Sequence, residues 1–219
     1  MLNLKASVST ADSTTARASS SKISTKELVQ LSLFTAIIFI MGITPLGYLP
    51  IGIFKVVTVH IPVIIGSIIL GPKYGSFLGF VFGLTSLITA HINVGPVAFM
   101  FSPFLSGNIL SAVVCFVPRI LVGIVPYYIY NIFRKIFKNR NEIALSLAGI
   151  VGSFTNTVFV LGFIYTFFKD SYAEVWGTTP ELLLGVMFSN LALSSLVEAI
   201  TASILTVAIT KVLLKFVKL

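Results

Sequence analysis

The stretch VTVHIPVIIGSIILGPKYGSFLGFVFGLTSLI, residues 57–88, contains two apolar runs that are separated only by a short turn. The turn, GPKYG at 71–75, is rich in Gly and Pro, the residues that most often interrupt regular structure. Apolar runs that approach or exceed ~18 residues predict membrane-spanning helices, and the dyad alternation of an outer-membrane barrel is absent. The stretch therefore predicts two helices folded back on each other inside a bilayer.

The composition of the whole chain agrees with this prediction. Hydrophobic residues make up 56% of the 219 residues and charged residues only 10%, and the mean hydropathy is +1.02. Soluble domains have about 25% charged residues. One Cys and two His provide neither a disulfide framework nor a Cys-based metal site within the chain, so we expect no metal and no cofactor.

On both sides of residues 57–88 the apolar pattern continues. It predicts an all-α integral membrane protein, a six-transmembrane-helix bundle with structured extracellular loops. The predicted spans are 26–44, 54–70, 74–90, 117–136, 143–168 and 181–215. In the third span, Gly75, Gly79 and Gly83 form a stripe that permits close approach of another helix. The segment 91–116, broken by Gly and Pro, predicts a structured loop with one short helix, because irregular backbone at membrane depth must be packed in protein or line a cavity.

The first residues differ in composition from the rest. Residues 1–24 are rich in Ser, Thr and Ala and lack an apolar stretch, which predicts a disordered cytoplasmic tail before a membrane domain at 25–219. Ser24 and Glu27 have the spacing of a capping box, which predicts that the first helix starts there.

The distribution of Lys and Arg predicts the orientation. Twelve of the fifteen basic residues lie in the tail or in the segments on the same side of the predicted spans. The positive-inside rule then places both termini in the cytoplasm of a multi-pass plasma-membrane protein. The net charge of +8 suits anionic lipid, and no basic soluble face suggests nucleic acid.

Three stretches carry a resemblance to a known family: residues 57–88, CFVPRILVGIV at 115–125 and GSFTNTVFVLG at 152–162. They resemble the substrate-binding S components of energy-coupling factor (ECF) vitamin transporters, and the likeness covers nearly all of 26–218. Within that family the chain looks most like the pantothenate type, with the pyridoxine and folate types close behind. The resemblance implies capture of a vitamin from outside and two kinds of partner, a transmembrane coupling subunit and two cytoplasmic ATPases.

The resemblance also implies a docking face. In the family, a small-xxx-small patch on the first helix contacts the coupling subunit, and the matching positions here are Ser32 and Ala36 in SLFTA. The alternative is that these small residues only pack within the chain itself.

Charged residues inside predicted spans mark candidate substrate contacts, because they are costly in a bilayer. Arg119, at the outer end of the fourth span, has a guanidinium suited to a carboxylate such as that of pantothenate; the alternative is that it reaches the headgroups. Glu198, in the middle of the sixth span, is a candidate acceptor for a substrate hydroxyl or amide; the alternative is a carboxyl bonded within the bundle.

Uncharged residues complete the candidate site. Asn156 contacts either substrate or another helix, Asn190 lies about two turns from Glu198 on nearly the same face, and His60 is a ligand or a satisfied packing contact. Loop residues are expected to close the cavity or to pack at its rim. These loop candidates are Asn93, Phe99, Phe101 and Trp176. For Trp176 the alternative is a position in the belt of aromatic residues at the membrane interface.

The sequence contains no catalytic constellation. No GxxxxGK[ST] loop is present and the two histidines form no metal-binding motif, so we expect neither an enzyme nor an ATPase. The alternative to an S component is an autonomous ion-coupled transporter, but no inverted repeat supports it.

Overall fold

The computed structural model describes residues 24–51, 54–138 and 140–217. Its helices are α1 (Thr25–Ile43), α2 (His60–Leu70), α3 (Pro72–Ile92), α4 (Pro103–Ser106), α5 (Leu110–Ile136), α6 (Asn141–Val175) and α7 (Leu183–Val217). Two strands, β1 (Tyr48–Ile51) and β2 (Phe54–Val57), pair as an antiparallel hairpin, and short 3₁₀ turns cover Pro45–Gly47 and Ala98–Phe101. The predicted tail, 1–24, lies outside the described residues except for Ser24.

The start of α1 is capped as predicted. The Ser24 Oγ accepts a hydrogen bond from the Glu27 N–H at 3.2 Å, and the Ser24 N–H donates to the Glu27 carboxylate at 3.0 Å. Only Phe34, Ile38 and Gly42 are buried along α1, so the helix contacts the rest of the protein through one narrow stripe. Most of its surface is left to lipid or to another protein.

Among the described residues, five helices are long and apolar enough to cross a membrane: α1, α3, α5, α6 and α7. The second predicted span, 54–70, is different. Its residues 54–57 form β2, so the prediction of a helix there is wrong, and α2 has only 11 residues. At ~1.5 Å per residue, α2 is about 17 Å long, roughly half of the ~30 Å hydrocarbon core.

Helix α2 lies at the centre of the protein. Nine of its residues are buried, from His60 to Ile68, and they contribute to a core that also includes side chains of α1, α3, α5, α6 and α7. A helix that is apolar on all sides is expected in such a position. Hairpin β1–β2 lies between α1 and α2 in the chain. It is at the end of the bundle where α1 finishes and α2 begins.

The predicted glycine stripe of α3 packs against α5. A Cβ at Gly75 would collide with the backbone carbonyl of Gly123, and one at Gly79 would collide with that of Arg119. Glycine at both positions is therefore what lets the two backbones approach this closely. The contact fixes the backbone of Arg119 against α3.

The segment between α3 and α5 confirms the predicted structured loop over most of its length. It contains the 3₁₀ turn Ala98–Phe101 and the single helical turn α4. Met100 is fully buried in a second core with side chains of α5, α6 and α7. The loop is shorter than predicted, because α5 already begins at Leu110.

Candidate functional site

Arg119 lies well inside α5, and its side chain is only 7% exposed. The prediction that it stands at the outer end of a span is wrong, because the residues before Pro118 are also helical. Pro118 has no N–H, so it leaves the Val114 carbonyl without its helical donor. The Arg119 Nη1 donates to that carbonyl at 2.8 Å, which allows α5 to pass through a proline without an unpaired backbone group.

The guanidinium of Arg119 has no anionic partner among the described residues. Its Cζ lies 5.5 Å from the ring centroid of Phe82 and 5.1 Å from that of Phe101, and its buried Nε makes no hydrogen bond. Within the described ranges the one ion pair joins Lys211 and Glu142, so no carboxylate neutralises Arg119. Its burial also contradicts the alternative that it reaches the headgroups. A buried cation without a counter-ion is costly and is suited to receive an anion.

Tyr48, at the start of β1, lies beside Arg119. The Tyr48 phenol is close enough to the guanidinium for the two groups to interact electrostatically. Sequence reasoning missed Tyr48 and also Phe82. The signal available for Tyr48 was an aromatic residue within the Gly- and Pro-rich loop TPLGYLPIG, residues 44–52, between two apolar segments.

Glu198 connects α7 to the hairpin. Its carboxylate accepts a hydrogen bond from the Val57 N–H at 2.9 Å, and the Glu198 side chain is buried. The residue lies near the middle of α7, so β2 reaches the same depth. Strand backbone at that depth requires a partner for each N–H, and Glu198 provides one for Val57. This contact fits the alternative of a carboxyl bonded within the bundle.

Removing the Glu198 carboxylate is expected to loosen the hairpin. In Glu198→Ala the buried Val57 N–H loses its acceptor, which costs about 1–3 kcal/mol and corresponds to roughly tenfold faster local opening. Hydrogen–deuterium exchange of peptides that cover β2 would measure the change. Glu198→Gln keeps an oxygen acceptor and should exchange almost like the wild type, and Glu142→Ala is the matched control. Equal protection of β2 in Glu198→Ala and the wild type would show that this bond does not hold the hairpin.

His60 and Asn156 lie at the same depth in the bundle. A Cβ at Gly152 of α6 would meet Ile64 of α2, and these two helices run in opposite directions. His60 lies one turn before Ile64 on α2, and Asn156 lies one turn after Gly152 on α6. Because the helices run in opposite directions, the two residues are displaced to the same side of the contact. Both side chains are buried, and neither His60 ring nitrogen nor the Asn156 Oδ1 has a hydrogen-bond partner. Two buried polar side chains therefore lie at one level of the bundle.

The other sequence-predicted residues lie further out. Asn93 is exposed at the end of α3, and Trp176 is 44% exposed at the end of α6, where its ring contacts Tyr172. Phe99 packs edge-on against Phe168, with centroids 6.1 Å apart. Asn190 lies in α7, and its side chain is outside the described part of the structure. The structure therefore brings Phe101 to Arg119, whereas Asn93, Phe99 and Trp176 lie elsewhere.

The groups around Arg119 suit an organic anion. They provide a cation, aromatic rings and a phenol, and the protein also buries the unpartnered Asn156 Oδ1 and the imidazole of His60. In the part of the chain that the structure describes, no three His, Cys, Asp or Glu side chains are grouped as metal ligands would be. This arrangement can recognise a small carboxylate.

The comparison with known families gives a direct match. Residues 26–210 match the family described as "ECF transporter, substrate-specific component". The chain belongs to this family. Membership makes it a component of a transport system and not an enzyme, as the sequence indicated. We refer to it below as the S component.

Two similar proteins have names that state a substrate. The pantothenic acid transporter PanT of Lactococcus lactis subsp. cremoris (strain MG1363) is 43% identical over 167 residues, which cover 74% of this chain and 79% of that protein. The pantothenate transporter PanT of Leuconostoc mesenteroides subsp. mesenteroides is 32% identical over 161 residues, or 71% of this chain and 73% of that protein.

Proposed function

We propose that this S component captures pantothenate from outside the cell and delivers it through an ATP-driven partner module. The observation that carries the proposal is the buried Arg119 guanidinium without a counter-ion. Pantothenate has one carboxylate, which would pair with Arg119, and an amide and two hydroxyls, which would reach Asn156, His60 and Glu198. The names of the two relatives support the same substrate.

The charge of the site favours pantothenate over the two other vitamins considered. Pyridoxine has no carboxylate and would leave Arg119 buried and unpaired. Folate has two carboxylates, whereas the site has one buried cation among the described residues. A ligand with a single carboxylate balances the charge of Arg119.

The orientation that we propose has both termini in the cytoplasm and six crossings. Hairpin β1–β2 together with α2 would make the second crossing, beside α1, α3, α5, α6 and α7. The positive-inside distribution of Lys and Arg supports this arrangement. The hairpin, the loop with α4 and the α6–α7 connection would then face outside, with Phe99, Trp176, Asn93 and Asn190 near the entrance.

Energy coupling would come from partner proteins. The sequence has no phosphate-binding loop, so ATP hydrolysis requires separate ATPase subunits. The transmembrane coupling subunit would dock on α1 at Ser32 and Ala36, both of which are exposed. They lie in a groove of about 550 Å³ that is also lined by Phe77 of α3.

The small-molecule content of the purified chain tests the proposed substrate. After expression in rich medium, mass spectrometry of the extract should recover pantothenate at about one molecule per chain. Calorimetry without ATP should show tight binding of pantothenate and none of pyridoxine or folate. Recovery of another vitamin would overturn the substrate but keep the family. Uptake that persists without ATPases and collapses with an uncoupler would instead indicate an ion-coupled transporter.

A further inference from the structure

A separate cavity lies away from Arg119, at one end of the bundle. It has a volume of about 620 Å³ and is formed where α6 begins and α7 ends. Its polar wall includes Arg140, Glu142, Lys211 and Lys215. The proposed substrate site uses none of these residues.

The cavity has an excess of positive charge. Lys211 forms an ion pair with Glu142, so these two charges cancel. Arg140 and Lys215 make no ion pair with any other described residue. Two basic side chains are therefore available to an anion, and the planar guanidinium of Arg140 is suited to bind two oxygens of a phosphate group.

The floor of the cavity is apolar. Leu145 is buried there, and the partly buried Leu214 and Ile143 lie beside it. A free phosphate ion gains nothing from such a floor, whereas the glycerol and first acyl carbons of a phospholipid would cover it. The cavity also lies at the ends of two helices that are long and apolar enough to span a membrane, where lipid headgroups would be in reach.

We propose that this cavity binds the headgroup of an anionic phospholipid, with Arg140 and Lys215 on the phosphate and Leu145 and Leu214 against the start of the acyl chains. The proposal places the site in the cytoplasmic leaflet, in line with the proposed orientation. It does not depend on which vitamin the protein binds.

Binding of short-chain lipids to the purified full-length protein tests the proposal. Native mass spectrometry in neutral detergent would compare phosphatidylglycerol with phosphatidylcholine of the same chain length, and with glycerol 3-phosphate and inorganic phosphate. The double variant Arg140→Gln/Lys215→Gln should lose about thirtyfold in phosphatidylglycerol affinity, since each basic group near an anionic surface contributes roughly fivefold. The matched control, Lys135→Gln/Lys138→Gln, removes two exposed charges from the same end of the protein but outside the cavity.

The outcomes separate the possible ligands. A lipid site is supported if only Arg140→Gln/Lys215→Gln loses affinity for phosphatidylglycerol, and if phosphatidylcholine and glycerol 3-phosphate bind the wild type weakly. Inorganic phosphate or glycerol 3-phosphate binding as tightly as the lipid would assign the site to a free phosphate compound and overturn the lipid. Equal losses in the two double variants, or no selectivity for phosphatidylglycerol in the wild type, would overturn the site itself. Pantothenate binding should be unchanged in both double variants, so failure of this proposal is distinguishable from failure of the proposed function.

Discussion

Arg119→Gln is expected to lower the affinity for pantothenate by at least about thirtyfold. Breaking a buried, hydrogen-bonded charge pair costs about 2 kcal/mol or more, because the carboxylate that remains is desolvated without a partner. Arg119→Lys keeps the charge but loses the forked geometry, so it should fall between the wild type and Arg119→Gln. Isothermal calorimetry of the purified S component would measure all three proteins.

Two controls assign the effect to the carboxylate. Pantothenol, in which an alcohol replaces the carboxylate, should bind the wild type weakly and should lose little further affinity in Arg119→Gln. Arg134→Gln makes the same chemical change at the other end of α5, where the guanidinium lies 5.9 Å from the ring centroid of Tyr130, and should bind pantothenate normally. If Arg119→Gln weakened pantothenate and pantothenol equally, Arg119 would act on the fold and not on the charge of the ligand.

The stability of the ligand-free variant provides an independent measurement. A buried cation without a counter-ion destabilises the empty protein, and its removal relieves that cost while the Val114 carbonyl loses one donor. We therefore expect the melting temperature of empty Arg119→Gln to be equal to or higher than that of the wild type. A variant that binds no pantothenate and also melts much earlier would point to a structural role instead.

Much of the fold could be predicted from local patterns. The capping box at Ser24, the glycine stripe of α3 and the long apolar runs are short-range features, and each has one dominant structural outcome. Residues 54–57 were predicted wrongly because a short apolar run suits a buried helix and a buried strand equally well. The start of α5 was misplaced because residues 110–116 were assigned to the loop at 91–116, which Gly and Pro interrupt. A proline inside a helix needs a substitute donor, and here that donor is the next side chain, Arg119.

The charged residues of the candidate site could be predicted from the sequence, but the contacts that they make could not. The cost of charge in a bilayer marked Arg119 and Glu198 from sequence alone. Their partners, Phe82, Tyr48 and the Val57 N–H, depend on how distant segments pack, and no spacing in the sequence encodes those contacts. The hairpin also explains why the two charged residues have different roles: it supplies Glu198 with a donor and Arg119 with an aromatic neighbour, but no anion.

Ala36→Leu is expected to abolish assembly with the coupling subunit while pantothenate binding is retained. Ala36 lies on the exposed side of α1, two residues from both Phe34 and Ile38, which are buried on the opposite side. Together with Ser32 it borders the α1 groove, whose other lining residues are Leu28, Leu31, Thr35, Phe39, Ile40 and Phe77. Small residues four apart allow a second helix to approach closely, and a leucine side chain would hold that helix away.

Co-purification of the S component with its co-expressed coupling subunit and ATPases would measure this effect, and vitamin uptake by the same cells would follow it. We expect at least a tenfold loss of complex, with unchanged pantothenate affinity for the isolated Ala36→Leu chain. Ala208→Leu is the matched control, because it adds the same side chain to an exposed position of α7. Full assembly of Ala36→Leu would move the docking face away from the groove. Loss of assembly in both variants would show only that added bulk on the lipid-facing surface is harmful, and the α1 groove would then have no special role.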